Sequence, residues 1–280
     1  MALELLNLSL DGALQAARRA AREAGAIIRR CWGRLDPETA ALKGVHDLVT
    51  EVDREAEACI LTILREALPE SIFVAEESAP AQTASEAPLR WFIDPLDGTT
   101  NFVHGVPACS VSIALEAAGE LALGVVYELG RDELFWAVRG QGAYLNGQPI
   151  RVSRVRRPEH ALLATGFPYR EFDRIDAYLE VLRYFMRHTQ GVRRPGSAAM
   201  DLCYVACGRF DGFWELGLSP WDVAAGALIV AEAGGAVTDF DGGSGYLFGR
   251  QILATNSHLH SWMLEAVQPL AARKRLANSS

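Results

Sequence analysis

The sequence predicts an α/β sandwich of two closely packed sheet-and-helix halves. Three observations lead there: helical and strand-like hydrophobic patterns alternate along the chain, no segment repeats, and no long polar linker interrupts them. The chain has 280 residues, 50% hydrophobic and 22% charged, ample for a large core. The division falls near residue 150, giving halves 1–150 and 151–280 within one compact unit.

Each element follows from local chemistry. Residues 12–33 repeat Ala, Ile and Leu at helical spacing and stop at Gly33. A second helix runs from about Asp53 to Leu68, with Ala56, Ile60, Ile63, Leu64 and Ala67 on one face and Pro69 ending it. The strand Ser71–Ala75 delivers Glu76 and Glu77, and Ser78–Pro88 reads as a surface loop. Trp91-Phe92-Ile93 forms a strand that delivers Asp94. Strands follow at Ser110–Glu116, Leu121–Tyr127 and Leu134–Val138, and Asn146-Gly147 marks a hairpin turn. A basic connector, Arg151–Arg157, leads to strand Ala161–Thr165 and a helix over about Asp173–His188. Ser197 caps a helix that runs through Gly208, and strand Phe210–Leu216 comes next. Trp221-Asp222 opens a small-residue helix through Ala233, closed by Gly234-Gly235. Strands Ala236–Phe240 and Gln251–Thr255 and a helix Ser257–Ala272 end the fold before a polar tail.

Composition excludes several classes. Lys+Arg 27 against Asp+Glu 35 leaves a net charge of -8, which speaks against direct nucleic-acid binding. No window approaches the roughly 20 apolar residues of a membrane span. The acidic N-terminus is unlike a signal peptide, so a cytoplasmic protein is expected. The five cysteines (31, 59, 109, 203, 207) are scattered and sit in apolar contexts, as reduced structural thiols do.

Carboxylates belong on solvated surfaces, so acids at the ends of apolar strands stand out. Glu76 ends one strand and Asp94 the next, and Asp97 follows across a turn stiffened by Pro95. Such a turn can aim two carboxylates and a backbone carbonyl at one locus. An all-oxygen set without a nearby His cluster suits Mg²⁺ rather than Zn²⁺. Gly98-Thr99-Thr100 adds backbone amides and a hydroxyl able to hold a phosphate oxygen. Asp222 at the head of a helix is a distant candidate ligand, and Asp47 could orient Thr99 or a further metal. Each piece alone has a plainer reading: Asp-Gly-Thr as a turn, Asp222 as a helix cap, Glu76-Glu77 as a solvated loop. Together they point to metal-assisted phosphoryl transfer to water.

At these residues the chain resembles the inositol monophosphatase family, particularly its bacterial members. The blocks Trp91–Phe102, with Asp94-Pro95-Leu96-Asp97-Gly98-Thr99 at the centre, and Trp221–Gly235 carry most of the likeness. Asp47–Thr50 with Asp53, Ala75–Ser78, Gly140–Ala143 with Asn146-Gly147, Ala164–Pro168 and Gly208–Gly212 support it in the family's order. The resemblance implies a layered αβαβα sandwich, as in fructose-1,6-bisphosphatase, assembled as a homodimer. It implies Mg²⁺-dependent, Li⁺-sensitive hydrolysis of a sugar or inositol phosphate, with two to three ions in the site. Glu76, Asp94, the Leu96 carbonyl and Asp97 would surround one ion. Asp94, Asp97 and Asp222 would hold a second, and a third would lie near Glu76. Glu76 and Thr99 would position water, with Asp47 behind Thr99, and the Gly98 and Thr99 amides would hold phosphate. Arg193, Ala198, Glu215 and Asp222 would contact the substrate. His46 and Pro195 depart from the family's usual residues, while Lys43 reads equally as a charge near the metal loop or a solvated lysine. The leading substrate is myo-inositol 1-phosphate, with fructose 1,6-bisphosphate, dual specificity or histidinol phosphate as alternatives. A regulatory, partner-binding protein on the same fold is the reading from another class.

Overall fold

The computed structural model describes residues 10–34, 51–78, 87–169 and 171–271, together with the backbone of 41–44 and 47–49. His46 and most of the Ser78–Pro88 loop therefore lie outside the described residues, as do the side chains of Lys43 and Asp47. Helices α1 (Leu10–Cys31) and α2 (Glu51–Ala67) flank a short antiparallel pair, β1 (Ala41–Gly44) and β2 (Asp47–Val49). Strands β3 (Ile72–Ala75), β4 (Leu89–Asp97), β5 (Ser110–Ala117), β6 (Glu120–Glu128), β7 (Glu133–Val138), β8 (Ala143–Leu145) and β9 (Gln148–Ile150) form a seven-stranded sheet in sequence order. Its neighbours are antiparallel except β3 and β4. The short helix α3 (Thr99–Val103) follows β4.

The second half supplies β10 (Leu162–Thr165), α4 (Ile175–His188), β11 (Gly191–Arg193), α5 (Ala198–Ala206), β12 (Gly212–Leu216), α6 (Pro220–Glu232), β13 (Ala236–Thr238), β14 (Gln251–Thr255) and α7 (His260–Ala271). Its five strands run in the order β11-β10-β12-β14-β13.

Burial explains the layering. Helices α1 and α2 pack their Ala- and Ile-rich faces on one side of the large sheet, beside Trp91, Ile93 and Ile113. Helices α5 and α6 lie between the sheets, touching Phe92 and Val126 of one and Phe213 and Ile252 of the other. Helices α4 and α7 cover the far side of the small sheet through Phe185, Trp214 and Met263. The result is five layers, αβαβα. An element buried on both sides must be apolar all round and tightly packed. In α5 every residue is buried, and Gly226 of α6 leaves no room for a Cβ against Leu202, which would stand 2.6 Å away.

Local departures have local causes. β4 does not end at Asp94 but continues to Asp97, with its register against β5 shifted between those residues. Pro95 lacks a donor for the ladder, so the strand bulges there. Ser197 caps α5 as expected, accepting from the Met200 amide at 3.3 Å. α6 begins one residue earlier than the sequence suggests, with Ser219 as N-cap and Asp222 in its first turn. The three-residue strand β11 has no counterpart in the sequence reading.

Candidate active site

A cavity of about 560 Å³ opens where the two halves meet. The bulge of β4 turns Asp94 and Asp97 into it, and the Asp94 carboxylate accepts from the Leu96 amide at 2.9 Å. Asp94 is 2% exposed, a costly place for a charge. Burial pushes its carboxyl well above the usual range, and the nearby Glu76, Asp97 and Asp222 carboxylates push it further. Asp97 reaches across to α5, accepting from the Ser197 hydroxyl at 2.6 Å and the Ala199 amide at 2.8 Å. Burial, then the Asp222 charge, raise Asp97 to about 7 against those hydrogen bonds.

Glu76 enters from the end of β3, its amide bonded to the Ile93 carbonyl at 3.2 Å. Asp222 enters from the first turn of α6, its carboxylate also accepting from the Ser219 amide at 2.7 Å. The plain capping role and the site position thus coexist in one residue. Next to these acids lie Gly98, with φ of 93°, and Thr99. A Cβ at Gly98 would stand 2.8 Å from the Ala108 carbonyl, so the turn requires glycine twice over.

Thr99 has an acid partner that the sequence reading did not name. Its hydroxyl is 3.1 Å from the buried Asp53 carboxylate and 3.0 Å from the Leu96 carbonyl, so the acid against Thr99 is Asp53 of α2. The Asp47 carboxylate, assigned that task from sequence, lies outside the described side chains.

The far end of the cavity is built by the second half, with Ala198 and Glu215 in its lining. The Glu215 carboxyl lies directly over Gly166, where an added Cβ would come within 1.9 Å of it. Burial raises Glu215 to about 8, with Arg194 opposing and Asp97 and Asp222 adding to the rise. Arg194, not Arg193, lines the cavity, its guanidinium 5.2 Å from the Phe167 ring and 5.4 Å from the Tyr169 ring. Arg193 is the last residue of β11, and its guanidinium bonds the Val192 carbonyl at 3.2 Å beside a separate hollow. Arg194, just past the end of β11, lines both the cavity and that hollow, whereas Arg193 lines the hollow and not the cavity.

This geometry fits the blocks that carry the family likeness, and comparison with known proteins agrees. A profile of the inositol monophosphatase family matches residues 9–272. The chain belongs to the inositol monophosphatase family. It is 49% identical over 259 residues to the Nus factor SuhB of Pseudomonas aeruginosa, covering 91% of this chain and 96% of that protein. The inositol monophosphatase of Anabaena superposes with a TM-score of 0.82 at 41% identity, over 94% of this chain and 99% of that one. The extragenic suppressor protein suhB of Bartonella henselae gives 0.85 at 43%, over 91% and 98%. The layered fold is thus that of the inositol monophosphatases.

Among the described residues no three side chains close into a finished cage, and each Asp rests on a protein donor. The donors are nonetheless all oxygen and face one cavity, and burial, with their mutual repulsion added, raises Asp94 and Asp97. Mg²⁺ commonly takes few carboxylates and keeps waters and phosphate oxygens, so this inositol monophosphatase pattern suits it.

Proposed function

We propose that the chain is a Mg²⁺-dependent phosphomonoesterase acting on myo-inositol 1-phosphate and similar polyol phosphates. The observation that carries this reading is the single cavity holding Glu76, Asp94, Asp97 and Asp222 beside Gly98-Thr99, with Glu215 at its other end. Glu76, Asp94, the Leu96 carbonyl, Asp97 and Asp222 would hold two to three Mg²⁺ ions. When bound, Mg²⁺ supplies neutralisation of phosphate charge and acidity toward water and the leaving oxygen.

The chain's own groups do the rest. With its hydrogen on Asp53, Thr99 Oγ1 turns lone pairs to a water that Glu76 helps to orient. Gly98 and Thr99 amides hold the phosphate. Glu215 accepts hydrogen bonds from substrate hydroxyls, and Arg194 takes the substrate-side place first given to Arg193. Ala198 keeps the floor open for a ring. Residues 1–150 supply most of the metal and phosphate side, with Asp222 reaching in from the second half, and 151–280 supply the substrate side. Phosphate release with and without Mg²⁺ tests the proposal, and absence of Mg²⁺-dependent turnover on any phosphomonoester would sink it. A panel of inositol 1-phosphate, fructose 1,6-bisphosphate and histidinol phosphate separates the leading substrate from its rivals, and Li⁺ should inhibit.

Two further readings have support. The name Nus factor borne by relatives favours a partner-binding role beside catalysis. A homodimer is supported by an exposed apolar hollow of about 320 Å³ at α4 and β11, lined by Leu182, Met186, Val192 and Arg193. Met186 is 63% exposed, a large apolar surface for an isolated chain. Sedimentation equilibrium checks the dimer. Among the described residues no helix is long and apolar enough to cross a membrane.

A further inference from the structure

Helix α2 sends two buried acids toward the site from one face, one turn apart. Asp53 meets Thr99, while Glu57, 2% exposed, accepts from the Glu77 amide at 2.8 Å. Glu76 is thereby held on both sides. Its own amide is tied to Ile93 of β4, and the next amide is tied to α2. The residue pairing of β3 with β4 ends at Ala75 and Ile93, just before Glu76. A carboxylate this deep must be hydrogen-bonded, and the Glu77 amide supplies that bond.

We infer that Glu57 is a positioning residue: by gripping the Glu77 amide it fixes the direction in which Glu76 enters the cavity, and so sets the site's affinity for a divalent cation. The inference rests on the reading of Glu76 as a cation ligand. Glu57 is not among the residues that line the cavity. Its effect passes through two residues of backbone.

The test compares Glu57→Ala, Glu57→Met and Glu57→Gln in the full chain. Met keeps the volume without the acceptor, and Gln keeps an acceptor without the charge. Hydrogen exchange at Glu76–Ser78 is read in the metal-free protein, and Mg²⁺ affinity by calorimetry, with the Mg²⁺ dependence of turnover beside it. In the Ala and Met variants the Glu77 amide should exchange at least about tenfold faster and Mg²⁺ should bind roughly tenfold more weakly, the range for groups that orient metal ligands. The Gln variant should stay within about twofold of the parent on both, because the acceptor is what matters. If Ala fails to fold, Met carries the comparison. Mg²⁺ binding unchanged in the Met variant overturns the role of Glu57 alone, as does a Gln variant as impaired as Met. A parent chain that takes up no Mg²⁺ overturns the reading of the whole site.

Discussion

Replacing Gly166 by alanine tests the substrate end of the cavity most sharply. The added Cβ would lie 1.9 Å from the Glu215 Cδ and Oε1 atoms and 2.2 Å from Oε2. Ordinary carbon–oxygen contact needs about 3.3 Å, so the carboxyl must retreat by more than about 1 Å. Gly166 is not among the positive-φ glycines, so alanine brings no backbone strain. The atoms in the way are the far end of a flexible side chain, so stability should fall by no more than about 1 kcal/mol. In assays at about pH 9, above the value of about 8 to which burial raises Glu215, the displaced carboxylate loses a charged hydrogen bond to substrate, worth about 1.5–3 kcal/mol. That corresponds to a drop of roughly 10- to 150-fold in kcat/KM for inositol 1-phosphate. An aryl phosphate without hydroxyls should be hydrolysed at nearly the parental rate. In a Glu215→Ala background the Gly166→Ala change should cost almost nothing more, because both act on the same group. Equal losses on both substrates, or additive losses in the double variant, would refute the argument.

Asp94→Asn should lower Mg²⁺-dependent turnover by roughly 100-fold or more while raising the melting temperature of the metal-free protein, since it removes an acid whose ionisation burial and the neighbouring carboxylates oppose. A lowered melting temperature would contradict that account. Asp97, raised to about 7, and Glu215, raised to about 8, keep protons in the native state that the unfolded chain has released. Metal-free protein should therefore lose stability as pH rises from about 5 to about 8, and Mg²⁺ should flatten the trend; melting curves in chelator and in Mg²⁺ measure both. Gly124→Ala would place a Cβ 2.8 Å from the Ala225 carbonyl and 2.9 Å from its Cα, wedging β6 from α6. A loss of about 2–3 kcal/mol in urea unfolding is expected, whereas Gly12→Ala, which meets nothing within 4 Å, should stabilise α1 slightly.

The turn at Asp94–Thr99 could be read from sequence because its chemistry is local: one proline, one glycine and two acids within six residues. Asp222 was legible for the same reason, as a residue beside Trp221 at a helix start. Asp53 was harder, since Asp47 and Asp53 flank the same short segment and either could reach Thr99. One sign was available. Asp53, Ala56, Glu57 and Ile60 recur at helical spacing, which puts both acids on the buried face and marks them as partnered. The choice between Arg193 and Arg194 had no such sign. It depends on β11, a three-residue strand whose pairing with β10 is a tertiary fact that no local pattern encodes. Strand β4 ran past its expected end because a bulge, unlike a turn, lets the strand continue through Asp94-Pro95, where the apolar pattern breaks.

The seam between the sheets has a consequence for assembly of the site during folding. Asp94 and Asp97 come from the large sheet, while Asp222 comes from a helix packed between the two sheets and Glu215 from the small sheet. The Asp97 carboxylate is itself tied to Ser197 and Ala199 across that seam. Neither half of the chain alone can hold the four acids at one cavity. A chain cut in the connector after Ile150 should therefore recover cation binding only when both fragments are mixed, with a rate set by docking of the halves.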